Sequence, residues 1–96
     1  MKKKVYISGS ITADIKTARL DFAKKEAELL QKGYQPVNPF KNGLSDDDPW
    51  EKHLATDILS LLGCDYIIML PGWKNSRGAT LEHEIAVLKN IPELKI

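Results

Sequence analysis

Tyr66-Ile67-Ile68-Met69-Leu70-Pro71-Gly72-Trp73-Lys74-Asn75-Ser76-Arg77-Gly78-Ala79-Thr80-Leu81-Glu82 is the stretch whose reading decides the fold. Its first five residues are a short apolar run rich in β-formers, which predicts a buried strand. Past the loop, Leu81, Ile85 and Leu88 recur at helical spacing and predict a helix from about Gly78 to Lys89. The segment between carries Pro, two glycines and small polar residues, so it reads as a strand-to-helix loop. Such a loop aims the free backbone N–H groups of a helix start at whatever sits above the strand ends. Glu82 stands one turn into that helix.

Working outward, Asp48-Pro49-Trp50-Glu51 predicts a helix start with Asp48 as N-cap, Pro49 at the first position and Glu51 at the third. Trp50, Leu54, Ile58 and Leu61 would form its core face. Nearer the N-terminus, Val5-Tyr6-Ile7 predicts a strand stopped by Ser8-Gly9-Ser10. Thr12 then reads as the N-cap of a helix over Ala13–Lys32 closed by Gly33, with Ile15, Ala18, Phe22, Ala23, Ala27 and Leu30 on one side. Tyr34–Val37 reads as a short strand that Pro36 confines to an edge. A polar loop follows from Asn38 to Asp48, and Leu94–Ile96 predicts a last, very short strand.

The order βαβαβαβ implies an α/β fold, a three-layer α/β/α domain over residues 1–96. Its small parallel sheet, flavodoxin- or Rossmann-like, would hold about four strands in the order 2-1-3-4. Ligands of such sheets bind outside the carboxyl ends of the strands, where strand order reverses. Here that point falls between strands 1 and 3, at the loops Ser8–Thr12 and Pro71–Arg77, both rich in Gly and Ser.

Composition narrows the function classes. The chain has 96 residues, 43% hydrophobic and 28% charged, as expected of one small globular domain. A net charge of +1 offers no field for nucleic acid, and Lys2-Lys3-Lys4 reads as a solvated start before a strand. The single Cys64 excludes an internal disulfide framework and fits a buried thiol in a reducing compartment. No apolar run is long enough to cross a bilayer and no signal-peptide pattern is present, so a cytoplasmic location is expected.

Several residues compete for chemistry. Gly9 and Ser10 bring backbone N–H groups and a hydroxyl to the first loop, although by themselves they read more simply as a tight strand-to-helix turn. The spaced glycines of a dinucleotide site are missing. Tyr6 is either core or a phenol placed to hold a carboxylate. Glu82 and Glu84 both flank the apolar stripe of the last helix. Gly78, Ala79 and Ala86 leave more room beside Glu82, and the helix start favours its ionised form. Asp57 lies at the edge of the second helix's apolar face, with His53 one turn before it. Trp73 on a loop fits a stacked ligand ring or an oligomer contact. Two histidines without paired-ligand spacing give no metal site, and Asp46-Asp47-Asp48 lacks the spacing of a calcium loop.

Taken together, Val5–Ile11, the helix ending at Gly33, Val37-Asn38-Pro39, Trp50 to Asp57, Cys64-Asp65 and Leu70–Trp73 with Ser76-x-Gly78-Ala79-x-x-Glu82 run through nearly the whole chain. They resemble a branch of small bacterial and phage proteins within the nucleoside 2-deoxyribosyltransferase-like superfamily, which also contains the 2'-deoxynucleoside 5'-phosphate N-hydrolases. The resemblance implies that Glu82, rather than Glu84, is a nucleophile attacking C1' of a sugar. Tyr6 would position it and Asp57 would assist in acid–base chemistry. Ser8, Gly9, Ser10, Ile11, Trp73, Asn75, Ser76 and Gly78 would line the ligand. Thr12 stands where the phosphate-recognising hydrolases carry Arg, with Arg77 as another partner for a phosphate. The implied activity is N-glycosidic cleavage or deoxyribosyl transfer on a nucleoside or nucleotide, without metal or cofactor, by a homo-oligomer. The phosphoribohydrolases, which free bases from nucleoside monophosphates, offer a second enzyme reading on the same frame. A nucleotide-binding or phage-accessory module that has lost turnover is the non-enzyme alternative, and a purely structural oligomer-forming domain is a third.

Overall fold

The first strand, β1 (Lys4–Ser8), sends alternate side chains to opposite faces of the sheet and so determines both halves of the core. The computed structural model describes residues 1–11 and 14–96. In chain order the remaining elements are α1 (Ile15–Gln31), β2 (Gln35–Val37), α2 (Trp50–Leu62), β3 (Tyr66–Met69) and α3 (Arg77–Leu88), with 3-10 turns at Pro39–Lys41 and Trp73–Asn75. Val5 and Ile7 pack with Phe22 and Leu29 of α1 and with Ile68. Tyr6, one residue out of phase, packs with Leu61 of α2, Ile67 and Ala86 of α3. One helix therefore covers one face and two cover the other.

The sheet is parallel with the order β2-β1-β3, so β1 is central. Its register runs from Lys4 opposite Gln35 to Tyr6 opposite Val37, and from Val5 opposite Tyr66 to Ser8 opposite Met69. Pro36 lies on the edge strand β2, where its missing N–H costs no ladder bond. The expected fourth strand is a correction: among the described residues the sheet has three strands. The C-terminal segment makes one parallel bridge, Ile67 with Glu93, through bonds from Ile67 N to Pro92 O and from Leu94 N to Ile67 O. Pro92 has no N–H to extend the pairing.

Helix boundaries moved by a residue or two, as helix ends do. The expected cap at Thr12 and start at Ala13 lie outside the described residues; α1 is capped by Asp14, whose carboxylate accepts from Lys16 N and Thr17 Oγ1. At α2 the cap is Pro49, without a side-chain bond, and helical geometry begins at Trp50. Asp48 instead accepts from Ser45 N at 2.8 Å and pairs with Lys52.

The expected core faces need revision. In α1 the buried residues are Ala18, Phe22 and Leu29, while Ile15 and Leu30 are exposed. Trp50 is exposed, and Asp57 and Leu61 are the buried pair of α2. In α3 the buried residues are Ala79, Glu82 and Ala86, whereas Leu88 is 78% exposed. Small side chains let the backbone of α3 approach the sheet closely, which a reading of large apolar residues misses. Cys64 is buried as expected; burial pushes its thiol up to about 11, so it stays protonated.

Two glycines are demanded by geometry. Gly72 has φ +84°, left-handed backbone that turns the chain after β3. At Gly9 the demand is space, since an added Cβ would meet Leu70 Cβ at 2.9 Å. Gly9→Ala is expected to force the two loops apart and destabilise the fold by about 1–3 kcal/mol. The urea midpoint measures this, and an unchanged midpoint would contradict the close approach.

Candidate active site

Residues two apart on one strand share a face, so Tyr6 and Ser8 of β1 both point toward α3. There they meet Glu82. Tyr6 OH donates to Glu82 Oε2 at 2.8 Å and Ser8 Oγ donates to Oε1 at 2.6 Å. Each oxygen of the carboxyl thus has its own hydroxyl donor, and the group is only 6% exposed. Ser76 caps α3 by accepting from Ala79 N, which fixes where the helix starts and hence where Glu82 projects.

Electrostatics sharpen the picture. Burial pushes the Glu82 carboxyl up to about 7; the Ser8 and Tyr6 hydrogen bonds oppose the rise, and the nearby Asp57 charge adds to it. The helix start was expected to favour the ionised form, but desolvation outweighs it. Burial, followed by the Glu82 and Asp57 charges, holds the Tyr6 phenol well above its usual range, so it remains a donor. Burial also raises Asp57, against a hydrogen bond from Asn42.

Glu82 and Asp57 both line a cavity of about 600 Å³, within the ~300–1,000 Å³ range of small-molecule sites. Gly9 and Ile11 of the first loop line it, as do Asn75, Ser76 and Gly78 of the second. This is the meeting of loops at the β1/β3 ends expected from strand order. Ser8 lies beneath the cavity as a partner of Glu82, and Ser10 is half-buried and outside the lining. Trp73 is also outside it. The half-buried ring stacks on His83 with centroids 4.5 Å apart. Glu84 is exposed.

Sequence reasoning missed the wall opposite Glu82. The polar loop after β2 folds over the cavity through Phe40, Asn42 and Leu44. Phe40 packs edge-on against Phe22 at 5.2 Å, with Arg19 stacked over it and held by Asp46. Trp50, expected in the core, forms another part of the wall and carries the Arg77 guanidinium 5.3 Å from its ring. The only signal for this wall was the aromatic character of Phe40 and Trp50 beside a long loop.

Among the described residues, no cluster of three or more His, Cys, Asp or Glu would hold a metal ion, and no helix is long and apolar enough to cross a membrane. Chemically, the site offers a buried carboxyl that titrates near neutrality, oriented by two hydroxyls. A second carboxyl and a half-open, partly aromatic cavity complete it. No curated protein matches the chain. A family model does match, over residues 3–92, and the chain belongs to that family, the domain of unknown function DUF4406.

Proposed function

We propose that the cavity cleaves the N-glycosidic bond of a nucleoside, or of its 5'-monophosphate, with Glu82 as nucleophile. The observation that carries this reading is the buried Glu82 carboxyl, gripped by Tyr6 and Ser8 at the wall of a ligand-sized cavity that also holds Asp57. A Glu82 oxygen attacks C1' as the bond to the base breaks, and Asp57 gives its proton to the leaving base. The product is a glycosyl ester of Glu82. Water then adds to C1', its proton returns to Asp57, and Glu82 leaves as carboxylate. An acceptor base in place of water would make the reaction a transfer. Phe40 and Trp50, which line the cavity, supply apolar surface for a base. The chain resembles the nucleoside 2-deoxyribosyltransferase-like proteins in the residues that form this site, and the β2-β1-β3 order fits their Rossmann-like sheet.

The protein is read as a homo-oligomer, since Leu59, Val87 and Leu88 leave large apolar side chains exposed on α2 and α3. Light scattering of the purified chain checks this; a monomer at all concentrations would contradict it.

Base release from a panel of ribo- and deoxyribonucleosides and their monophosphates tests the activity. Wild type is expected to release base from at least one. No release from any, with or without acceptor bases, would sink the reading and leave a binding module.

A further inference from the structure

Asn42 makes three hydrogen bonds from one carboxamide. Its Oδ1 accepts from Leu44 N at 3.0 Å, which determines which end of the amide is nitrogen. Its Nδ2 then faces Asp57 Oδ1 at 3.0 Å and His53 Nδ1 at 3.2 Å, one hydrogen for each. His53 can accept there because its Nε2 lies 2.9 Å from Ser45 O, a carbonyl that only accepts. The ring is therefore the tautomer with its proton on Nε2 and a bare Nδ1. His53 and Asp57 stand one turn apart on α2, while Asn42, Leu44 and Ser45 belong to the 38–48 segment that walls the cavity.

The segment is also held by the His53 bond to Ser45 O, by Asn38 donating to Glu26, and by the ion pairs Lys41 with Glu26, Arg19 with Asp46 and Lys52 with Asp48, and exposed ion pairs hold weakly. The Asn42 bonds are partly buried, and Asn42 is the one side chain shown donating to Asp57 among the described residues. The charged and titratable groups around Asp57 are Glu82 from α3, Tyr6 from β1 and His53 from its own helix.

We propose that Asn42 is a positioning residue: it fastens the 38–48 segment onto α2 and, by the same amide, orients the Asp57 carboxyl on the cavity wall. The acid is therefore competent only when the segment is closed. This rests on the reading of Asp57 as the acid of the glycosidase. Removing the amide frees the segment and takes from Asp57 the donor that favours its ionised form. The coupling is reciprocal, so removing the carboxyl loosens the segment as well.

The test compares wild type, Asn42→Ala and Asp57→Leu in two measurements that need no substrate. Hydrogen exchange at the Ser45 and Asp48 amides, neither bonded to Asn42, reports the segment. Carboxyl-carbon NMR reports Asp57. Exchange is expected to rise at least tenfold in both variants, and the Asp57 titration to move upward in Asn42→Ala. Should Asn42→Ala fail to fold, Asn42→Ser, which keeps one donor, is expected to give the same changes in smaller measure. Faster exchange with an unmoved Asp57 titration would reduce Asn42 to a structural tie and overturn the proposal, as would unchanged exchange. If wild type releases no base, the glycosidase reading fails while both measurements still decide the coupling. If it does, kcat is expected to fall at least tenfold in Asn42→Ala.

Discussion

Glu82→Gln is expected to abolish base release and, above pH 7, to make the protein more stable. The loss of activity follows from removing the nucleophile, and at least ~10³-fold in kcat is expected. The gain in stability follows from linkage. Glu82 titrates at about 7 in the folded chain against an ordinary value of 4.5. A raised folded value means that the native state holds the proton more tightly. Its contribution is then full below pH 4.5 and is lost as pH rises through 7. The whole difference corresponds to about 3 kcal/mol. Gln cannot ionise and keeps an acceptor and a donor for Tyr6 and Ser8, so the variant escapes that loss. Relative to wild type it should gain about 1–3 kcal/mol at pH 8 and almost nothing at pH 4. Urea unfolding at the two pH values measures the difference. Equal stability at pH 8 would mean that Glu82 is not a strained, buried acid.

The dependence of kcat/KM on pH is the second large effect. Glu82 must be ionised to attack and Asp57 protonated to release the base, so the working pair holds one proton. Below the lower titration both carboxyls are protonated and there is no nucleophile. Above about 7 the last proton leaves and there is no acid. A bell is therefore expected, with its descending limb near 7. Asp57→Asn removes the acid and also the charge that helps raise Glu82. Its much reduced activity should show a single ascending limb, displaced below 7, and no descent. Wild-type activity that instead climbs through 7 to a plateau would remove Asp57 from the role of acid and leave Glu82 working alone.

The sequence and the structure agree where local chemistry decides. The run from Tyr66 to Met69 is a strand, a loop leads from it into the last helix, and that helix starts at Arg77, one residue before the expected Gly78. The alternation in β1 placed Tyr6 beside α3, within reach of a carboxylate. They diverge where packing between elements decides. Leu81 and Leu88 marked the wrong face of α3, because the sheet is met by Ala79 and Ala86 with Glu82 between them. Trp73, read as a ligand platform or an oligomer contact, stacks on His83 nearly two turns into the following helix. Asn42 carried no signal at all, since Asn before Gly reads as a turn; its role exists only once the loop folds back on Asp57.

The stereochemistry of transfer tests the nucleophilic role of Glu82 most directly. Nucleosides and their monophosphates would be incubated with the protein in water containing methanol, and the first-formed methyl glycoside identified by proton NMR. Two displacements through a Glu82 ester retain configuration, so a β-nucleoside should yield the methyl β-glycoside, and Glu82→Gln should yield none. A methyl α-glycoside, or nucleosides left intact throughout, would contradict a covalent role for Glu82.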